Sequence, residues 1–455
     1  MADKEEQFGS RAAVIMAMAG SAIGLGNIWR FPYMVGEHGG AAFVVIYIIA
    51  TLLISLPVFI AEVTVGRRSR LGAYSAMSAL DPTRKIWRSA GLLAIAIPLL
   101  IDSYYSVIGG WSLEYLVKAC TGQFVNSSPD EVSGLFGAFI SSDWMPVIMH
   151  LIFLGICAFI VGKGVKTGIE TFSKISIPIL FILIVAMIVY SVTLPGAKAG
   201  VEYLIKPDFS SLNTKTCAYA MGQSFYSLSL GMGAIITYGS YVHRKENILF
   251  SSAGAAVSDL CFAILAGLAI MPAVFSAGIE PGAGPGLIFQ SIPYIFASFG
   301  ETSPVISSIV ATIFFLAIVV AAITSCISLI EVGVTFLRER YNLKRWVAVV
   351  RIFLFCGGLG VLCSLSFGPL SGFKIGGMCL FDLFDWFCSN ILLLVLAFIT
   401  VIFVGFVMKK DDVKEEITNA GLEKFNVKVF PVLYFLIKWV APVAIALILV
   451  SNFVL

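Results

Sequence analysis

Long apolar blocks decide what this chain can fold into. Residues 41–61, 145–161, 175–194, 305–330 and 390–408 are almost uninterrupted runs of aliphatic and aromatic side chains. A helix needs about 20 such residues to cross the hydrocarbon of a bilayer. The 455-residue chain is 59% hydrophobic and 13% charged, against roughly 25% charged residues in a soluble domain. The expected class is an all-α membrane protein surrounded by a lipid bilayer. Nine cysteines are scattered singly, without a C-x-x-C or Cys/His cluster, and three histidines are spread over the chain. Redox, transition-metal and histidine-centred catalytic chemistry are therefore not expected, and nothing in the spacing marks an enzyme. A net charge of +3 distributed over many loops makes no basic face for nucleic acid.

Eleven spans are expected, near 11–35, 41–66, 89–119, 143–162, 170–194, 214–241, 248–275, 304–337, 346–367, 376–408 and 427–453. If the N-terminus is inside, the cytoplasmic segments hold 21 Lys and Arg and the outer segments hold 5. The excess of basic residues on the cytoplasmic side then selects an inner N-terminus and an outer C-terminus. The mixed-charge stretch 1–10 reads as a cytoplasmic tail rather than a cleavable signal. The longest outer loops are 120–142, 195–213 and 276–303. In the third, a Gly/Pro-rich turn precedes the apolar stretch 287–299. That stretch is either a re-entrant or surface-lying helix over an outward cavity, or a plain connection.

Polar positions inside the spans carry the functional signal. The first span reads Gly20-Ser-Ala-Ile-Gly-Leu-Gly-Asn-Ile-Trp-Arg30-Phe-Pro. Gly24 and Gly26 are two apart and do not share a helix face, so a packing stripe does not explain them. They free the backbone to unwind, which is tolerable at membrane depth only beside a cavity. The sixth span repeats the device, with Gln223, Tyr226, Ser227 and Ser229 preceding Gly231-Met232-Gly233. Breaks in spans one and six imply two five-span repeats of opposite topology. The expected organisation is a tail (1–10), a first repeat (11–194), an outer loop (195–213), a second repeat (214–408), a cytoplasmic loop (409–426) and an eleventh span (427–455). Half-helix starts favour a carboxylate and half-helix ends a cation, so the pair suits a zwitterion.

Three further positions stand out. Thr324 and Ser325 in span eight either bond back to carbonyls three or four residues earlier or supply hard oxygens to sodium. Asp259 in span seven is costly in hydrocarbon and is a candidate site by that fact. It faces a cation, accepts a proton, or lies near the inner end of the span. Asp382 and Asp385 in span ten are opposite in sign to Arg30 and suit an outer gate.

The segment Gly24-Leu-Gly-Asn-Ile-Trp-Arg-Phe-Pro32, with Ser229-Leu-Gly-Met-Gly-Ala-Ile-Ile-Thr-Tyr238 and Ile323-Thr-Ser325, resembles the neurotransmitter:sodium symporter family, the family of the bacterial leucine transporter. The resemblance covers essentially the whole chain. It implies sodium-coupled symport of an amino acid across a bacterial inner membrane by alternating access, with two sodium sites. The first would use the Ala22 carbonyl, Asn27, Ser227, the substrate carboxylate and a span-seven residue. Ser258 aligns there without gaps, and Asp259 is favoured as the intramembrane charge. The second would use the carbonyls of Gly20, Ile23 and Ala321 and the hydroxyls of Thr324 and Ser325.

By the same resemblance, the substrate carboxylate would meet the Leu25 and Gly26 N–H groups and the Tyr105 hydroxyl. Its ammonium would meet carbonyls of Ala22, Tyr226, Ser227 and Ser229. Ile101, Tyr226, Met232, Cys326, Ser328 and Leu329 would shape the side-chain pocket. Members that carry monoamines have an aspartate where this chain has Gly24, so the substrate should bring its own carboxylate. A hydrophobic or aromatic amino acid fits the adaptable, apolar surroundings of Met232.

Arg30 with Asp385 would form the outer gate, and Tyr105 with Tyr226 the lid. The family's inner latch falls on Glu5, Phe8, Glu339 and Tyr241. Glu5 and Glu339 repel, so Lys4, or Glu5 reversed onto Arg338, would have to substitute. Chloride in animal relatives sits near positions matching Tyr47, Gln223 and Ser227, whereas chloride-independent bacterial members carry a glutamate where this chain has Phe262. Asp259 can replace that charge, and no chloride requirement is expected. A proton-coupled carrier using Asp259 and a non-transporting amino-acid sensor are the competing readings. Oligomeric state is left open by the sequence.

Overall fold

The computed structural model describes residues 7–278, 288–300 and 303–454. All regular elements among them are helical. The first, α1 (Arg11–Ala22), starts at Ser10, whose hydroxyl accepts the Ala13 N–H at 3.2 Å, an N-cap. It stops where Ile23 turns extended. After Gly24 and Leu25 the chain resumes as α2 (Gly26–Glu37), bent 53° from α1.

Four unbroken helices follow: α3 (Ala41–Ser69), α4 (Ile86–Cys120), α5 (Met145–Gly162) and α6 (Val165–Val192). Within α3 a π turn at Thr51–Ser55 comes just before Pro57, where the missing proline N–H leaves a carbonyl to be accommodated. A second interrupted pair comes next, α7 (Thr214–Ser227) and α8 (Ala234–Ser240). Between them Ser229 and Gly231 have φ of +53° and +71°. Gly231 has no alternative, because a Cβ there would lie 2.0 Å from the Leu393 carbonyl oxygen.

Four more unbroken helices complete the second set: α9 (Ile248–Ser276), α10 (Pro304–Tyr341), α11 (Arg345–Leu365) and α12 (Leu380–Val407). The last long helix is α13 (Lys424–Val454). Among the described residues nine unbroken helices are long and apolar enough to span, or ten with the α1/α2 pair. The segment holding α7 and α8 does not meet that test. It carries Thr, Ser, Gln and Tyr residues where other spans carry aliphatics.

The burial pattern is that of a membrane protein. Ile182, Leu354 and Val443 are more than half exposed, while Asn27, Gln223 and Asp259 are fully buried. Apolar side chains face lipid and polar ones face inward. The long helices α4 and α10 pack along one another as the central scaffold, and α1 lies against α6, α9 and α10.

Of the two readings of the 276–303 loop, the helical one holds. Ser291–Gly300 is a helix with Ile292, Ile295 and Phe296 buried. Phe289 just before it stacks on Phe136 at 5.2 Å and meets Trp111 and Tyr115 of α4 edge-on. The Gly/Pro-rich turn before it lies outside the described residues. The loop 120–142 holds a helix at Pro129–Ile140 with a Ser128/Glu131 capping box.

Candidate substrate and ion site

The two interrupted pairs line a small cavity of about 20 Å³. Ala22, Gly24 and Gly26 line it from the first break, and Tyr226, Ser229 and Met232 from the second. Ile101 and Tyr105 come from α4, and Ser325 and Leu329 from α10. The sequence placed all of these at or beside the site. The Leu25 N–H donates to the Tyr105 hydroxyl at 3.2 Å, which marks the end of the cavity that offers donors to an anion. Gly24 fills its place closely. A Cβ there would lie 2.3 Å from Ser325 Oγ and 3.0 Å from the Tyr105 hydroxyl. An aspartate has no room at this position in this arrangement.

On one side of the cavity Asn27, Ser227 and Asp259 form a buried polar cluster. Asn27 Nδ2 donates to Asp259 Oδ1 at 2.7 Å and to Ser227 Oγ at 3.1 Å. Ser227 donates to Asp259 Oδ2 at 2.7 Å, and the Tyr47 hydroxyl donates to Ser227 at 3.1 Å. Asn27 Oδ1 accepts the Gly24 N–H at 3.0 Å, tying the cluster to the break. Ser258 bonds back to the Gly254 carbonyl instead. Helix α9 therefore presents Asp259, and not Ser258, to Asn27. Phe262 packs edge-on against Phe181.

The other side is built from neutral oxygens. Thr324 Oγ1 donates to the Ile23 carbonyl at 3.1 Å and to the Ala321 carbonyl at 2.8 Å. Ser325 Oγ reaches the carbonyls of Ser21 at 3.3 Å and Ile23 at 3.5 Å. Gly20 lies against the Thr324 side chain. Thr324 thus bonds back within its own helix, as the first of the two expectations had it, and also reaches the Ile23 carbonyl of the first break. Among the described residues no group of three or more His, Cys, Asp or Glu is placed to hold a metal ion. The converging carbonyls and hydroxyls suit a hard monovalent cation.

Two expected pocket residues point elsewhere. Cys326 donates to Asp102 Oδ1 at 2.9 Å, and Ser328 bonds the Ser325 carbonyl and Ser21 Oγ. Positions 325 and 329 share a helix face one turn apart, and 326 and 328 fall to its sides. At the expected outer gate Arg30 and Asp385 face one another without a direct bond. Arg30 lies over the Tyr226 ring at 4.7 Å, a cation–π contact. Asp385 accepts from Ser389 at 3.1 Å, and among the described residues no salt bridge within 4 Å joins it to Arg30, although the two opposite charges act on each other.

On the inner side Tyr241 and Glu339 do not meet. The Tyr241 hydroxyl donates to Glu331 at 2.8 Å and shares a bond with Thr335 at 2.6 Å. Arg345 pairs with Glu331, while Glu339 accepts the Gly72 N–H at 2.7 Å. Glu339 is two turns beyond Glu331, about 12 Å along the helix. Phe8 is buried edge-on between Tyr238 and Tyr241. Lys4 and Glu5 lie outside the described residues.

The sequence reading passed over Glu62, Asp102 and Glu331. Glu62 Oε1 accepts the Gly231 N–H at 2.7 Å and so holds the second break in place. All three are acids inside apolar spans, and the rule that singled out Asp259 would have found them.

Comparison with known proteins identifies the family. The Sodium:neurotransmitter symporter family profile matches residues 5–131 and 136–455. The sodium-dependent transporter YhdH of Bacillus subtilis is 35% identical over 98% of both chains. A sodium-dependent transporter of Haemophilus influenzae is 34% identical over 99% of this chain and 98% of its own. The crystal structure of MhsT in complex with L-phenylalanine superposes with a TM-score of 0.89 at 38% identity, covering 98% of this chain and 99% of that one. The chain belongs to the sodium:neurotransmitter symporter family and is an all-α, multi-pass, sodium-coupled symporter of the 5+5 inverted-repeat fold.

Proposed function

We propose that the protein carries an aromatic or large apolar amino acid into the cell with sodium, binding the amino acid in the cavity between the two breaks. The observation that carries this reading is the cavity itself. It has backbone and Tyr105 donors at one end, apolar walls from Ile101, Met232 and Leu329, and a cluster of sodium-compatible oxygens on each side. The cavity is tight, about 20 Å³, little more than the room of one water, so a phenylalanine-sized ligand requires its walls to part. MhsT, seen with L-phenylalanine, supports the aromatic choice, and the steric closure at Gly24 supports a substrate that brings its own carboxylate.

Two sodium sites follow from the two clusters. The first is Ala22, Asn27, Ser227 and Asp259, with the substrate carboxylate. The second is Gly20, Ile23, Ala321, Thr324 and Ser325. The Asp259 carboxylate beside Tyr47 and Ser227 supplies the fixed negative charge, so chloride is not required. The α7/α8 segment is the sixth span, broken like the first, and brings the total to eleven in a bacterial inner membrane. The basic-residue bias supports a cytoplasmic N-terminus and an extracytoplasmic C-terminus. Arg30 with Asp385 closes the outer side, and Phe8, Tyr241 and Glu331 close the inner side.

The test is binding of labelled L-phenylalanine to the purified protein with sodium or potassium at fixed pH, followed by competition with the twenty amino acids. Sodium-dependent binding, displaced best by aromatic and large apolar amino acids, is expected. Binding unchanged by sodium would favour the proton-coupled alternative and sink this reading.

A further inference from the structure

Behind the cavity wall lies a second buried carboxyl that the sodium scheme does not use. Asp102 follows Ile101, whose side chain lines the cavity, and sits one turn before Tyr105 on α4. It is fully buried. Its Oδ1 accepts the Cys326 thiol at 2.9 Å, and its Oδ2 is buried without a hydrogen-bond partner. The groups facing it are thiols: Cys326 of α10 and Cys356 of α11, with Cys157 of α5 behind Cys326. His150 of α5 bonds the Gly357 carbonyl. Among the described residues no salt bridge reaches Asp102, and thiols are weak donors. A carboxylate so placed has neither a counter-charge nor strong donors, and a buried acid in that position neutralises by binding a proton.

The geometry also connects Asp102 to the transport site. Its thiol partner belongs to the residue after Ser325, which lines the cavity and contacts the Ile23 carbonyl. Tyr105, one turn away, holds the donor end of the cavity.

We propose that Asp102 is a proton-binding site linked to the substrate cavity, neutral when the amino acid is bound. The inference rests on the cavity being the amino-acid site. A substrate carboxylate at the Leu25 and Tyr105 end would sit about one helical turn along α4 from Asp102, with Cys326 beside both residues, and two negative charges at that separation repel in a low-dielectric interior. A proton on Asp102 removes the repulsion. Proton and amino acid therefore strengthen each other's binding, each by the same factor. The proton is exchanged with water and forms no bond to the substrate.

The experiment measures L-phenylalanine affinity at saturating sodium across pH for the full-length protein, for Asp102→Asn and for Asp102→Glu. Wild-type affinity should fall as pH rises, by up to about tenfold per pH unit once Asp102 loses its proton. D102N should keep sodium-dependent binding with a flat profile, and D102E should restore the slope. A flat wild-type profile, or the same slope in D102N, overturns the proposal. Loss of sodium dependence in the wild type instead overturns the assignment of the cavity.

Should D102N fail to fold, difference infrared spectra of wild type and Cys326→Ser decide. A protonated-carboxyl band that changes on phenylalanine addition and shifts in C326S supports the proposal, because the variant alters the donor to Asp102. Absence of the band, or a band unmoved in C326S, overturns it.

Discussion

The two sides of the cavity solve the same problem with different chemistry. At Asn27, Ser227 and Asp259 a buried carboxyl group is held by two side-chain donors, each at 2.7 Å. At Ile23, Ala321, Thr324 and Ser325 the oxygens are all neutral dipoles. A charged site attracts a cation strongly and suffers when its charge is removed. A dipolar site depends on how many oxygens converge and loses a little with each one. The comparison implies that the first side should dominate cation affinity and the second should tune it. Gly24 lies between them, bonded to Asn27 and packed on Ser325, so it should report on both.

The largest effect is expected at that junction. Gly24→Ala places a methyl group 2.3 Å from Ser325 Oγ and should abolish sodium-dependent amino-acid binding while the protein still elutes as a folded species. Retained binding would mean that the two sides move apart freely. Asp259→Asn should follow, weakening sodium binding by about 3 kcal/mol, ~100-fold, as read from sodium titration of substrate binding. An Asp259 effect smaller than that of Thr324→Ala would reverse the comparison.

Thr324→Ala removes one neutral oxygen and should cost about 1 kcal/mol, roughly fivefold in sodium affinity, in the same titration. Replacing chloride with gluconate should leave sodium-driven uptake unchanged, since Asp259 already carries the negative charge. A strict chloride requirement would show that Asp259 does not serve as that charge.

The inner gate offers a second contrast. Glu331 binds both the Tyr241 hydroxyl and the Arg345 guanidinium, whereas Glu339 accepts the Gly72 N–H and lies beside Ser75 and Arg338. Glu331→Gln should therefore raise cytoplasmic accessibility more than Glu339→Gln does, measured by thiol labelling of a reporter cysteine placed at Phe8.

Much of this was legible in the residues. The apolar blocks placed the long helices to within a few residues of the observed ends, as at α9 and α5. The Gly24 and Gly231 breaks were readable because glycine pairs at that spacing fit no packing face. Asn27, Ser227, Thr324 and Ser325 were readable as polar groups with no reason to be in hydrocarbon. The side chains behind the wall were harder. Cys326 and Ser328 looked like pocket residues because their neighbours are, and only the rotation of α10 turns them away.

The chain by itself determined that the protein lives in a membrane, that its first helix breaks at the glycine pair, and that polar groups gather beside that break. Those facts depend on local composition and on backbone freedom, which act within a few residues. The tertiary structure decided which acid faces the site, which partner closes the inner gate, and that Asp102 stands alone among thiols. Those depend on helix rotation and on contacts between residues more than 200 positions apart, such as Asn27 with Asp259 and Cys326 with Asp102. No local pattern encodes them.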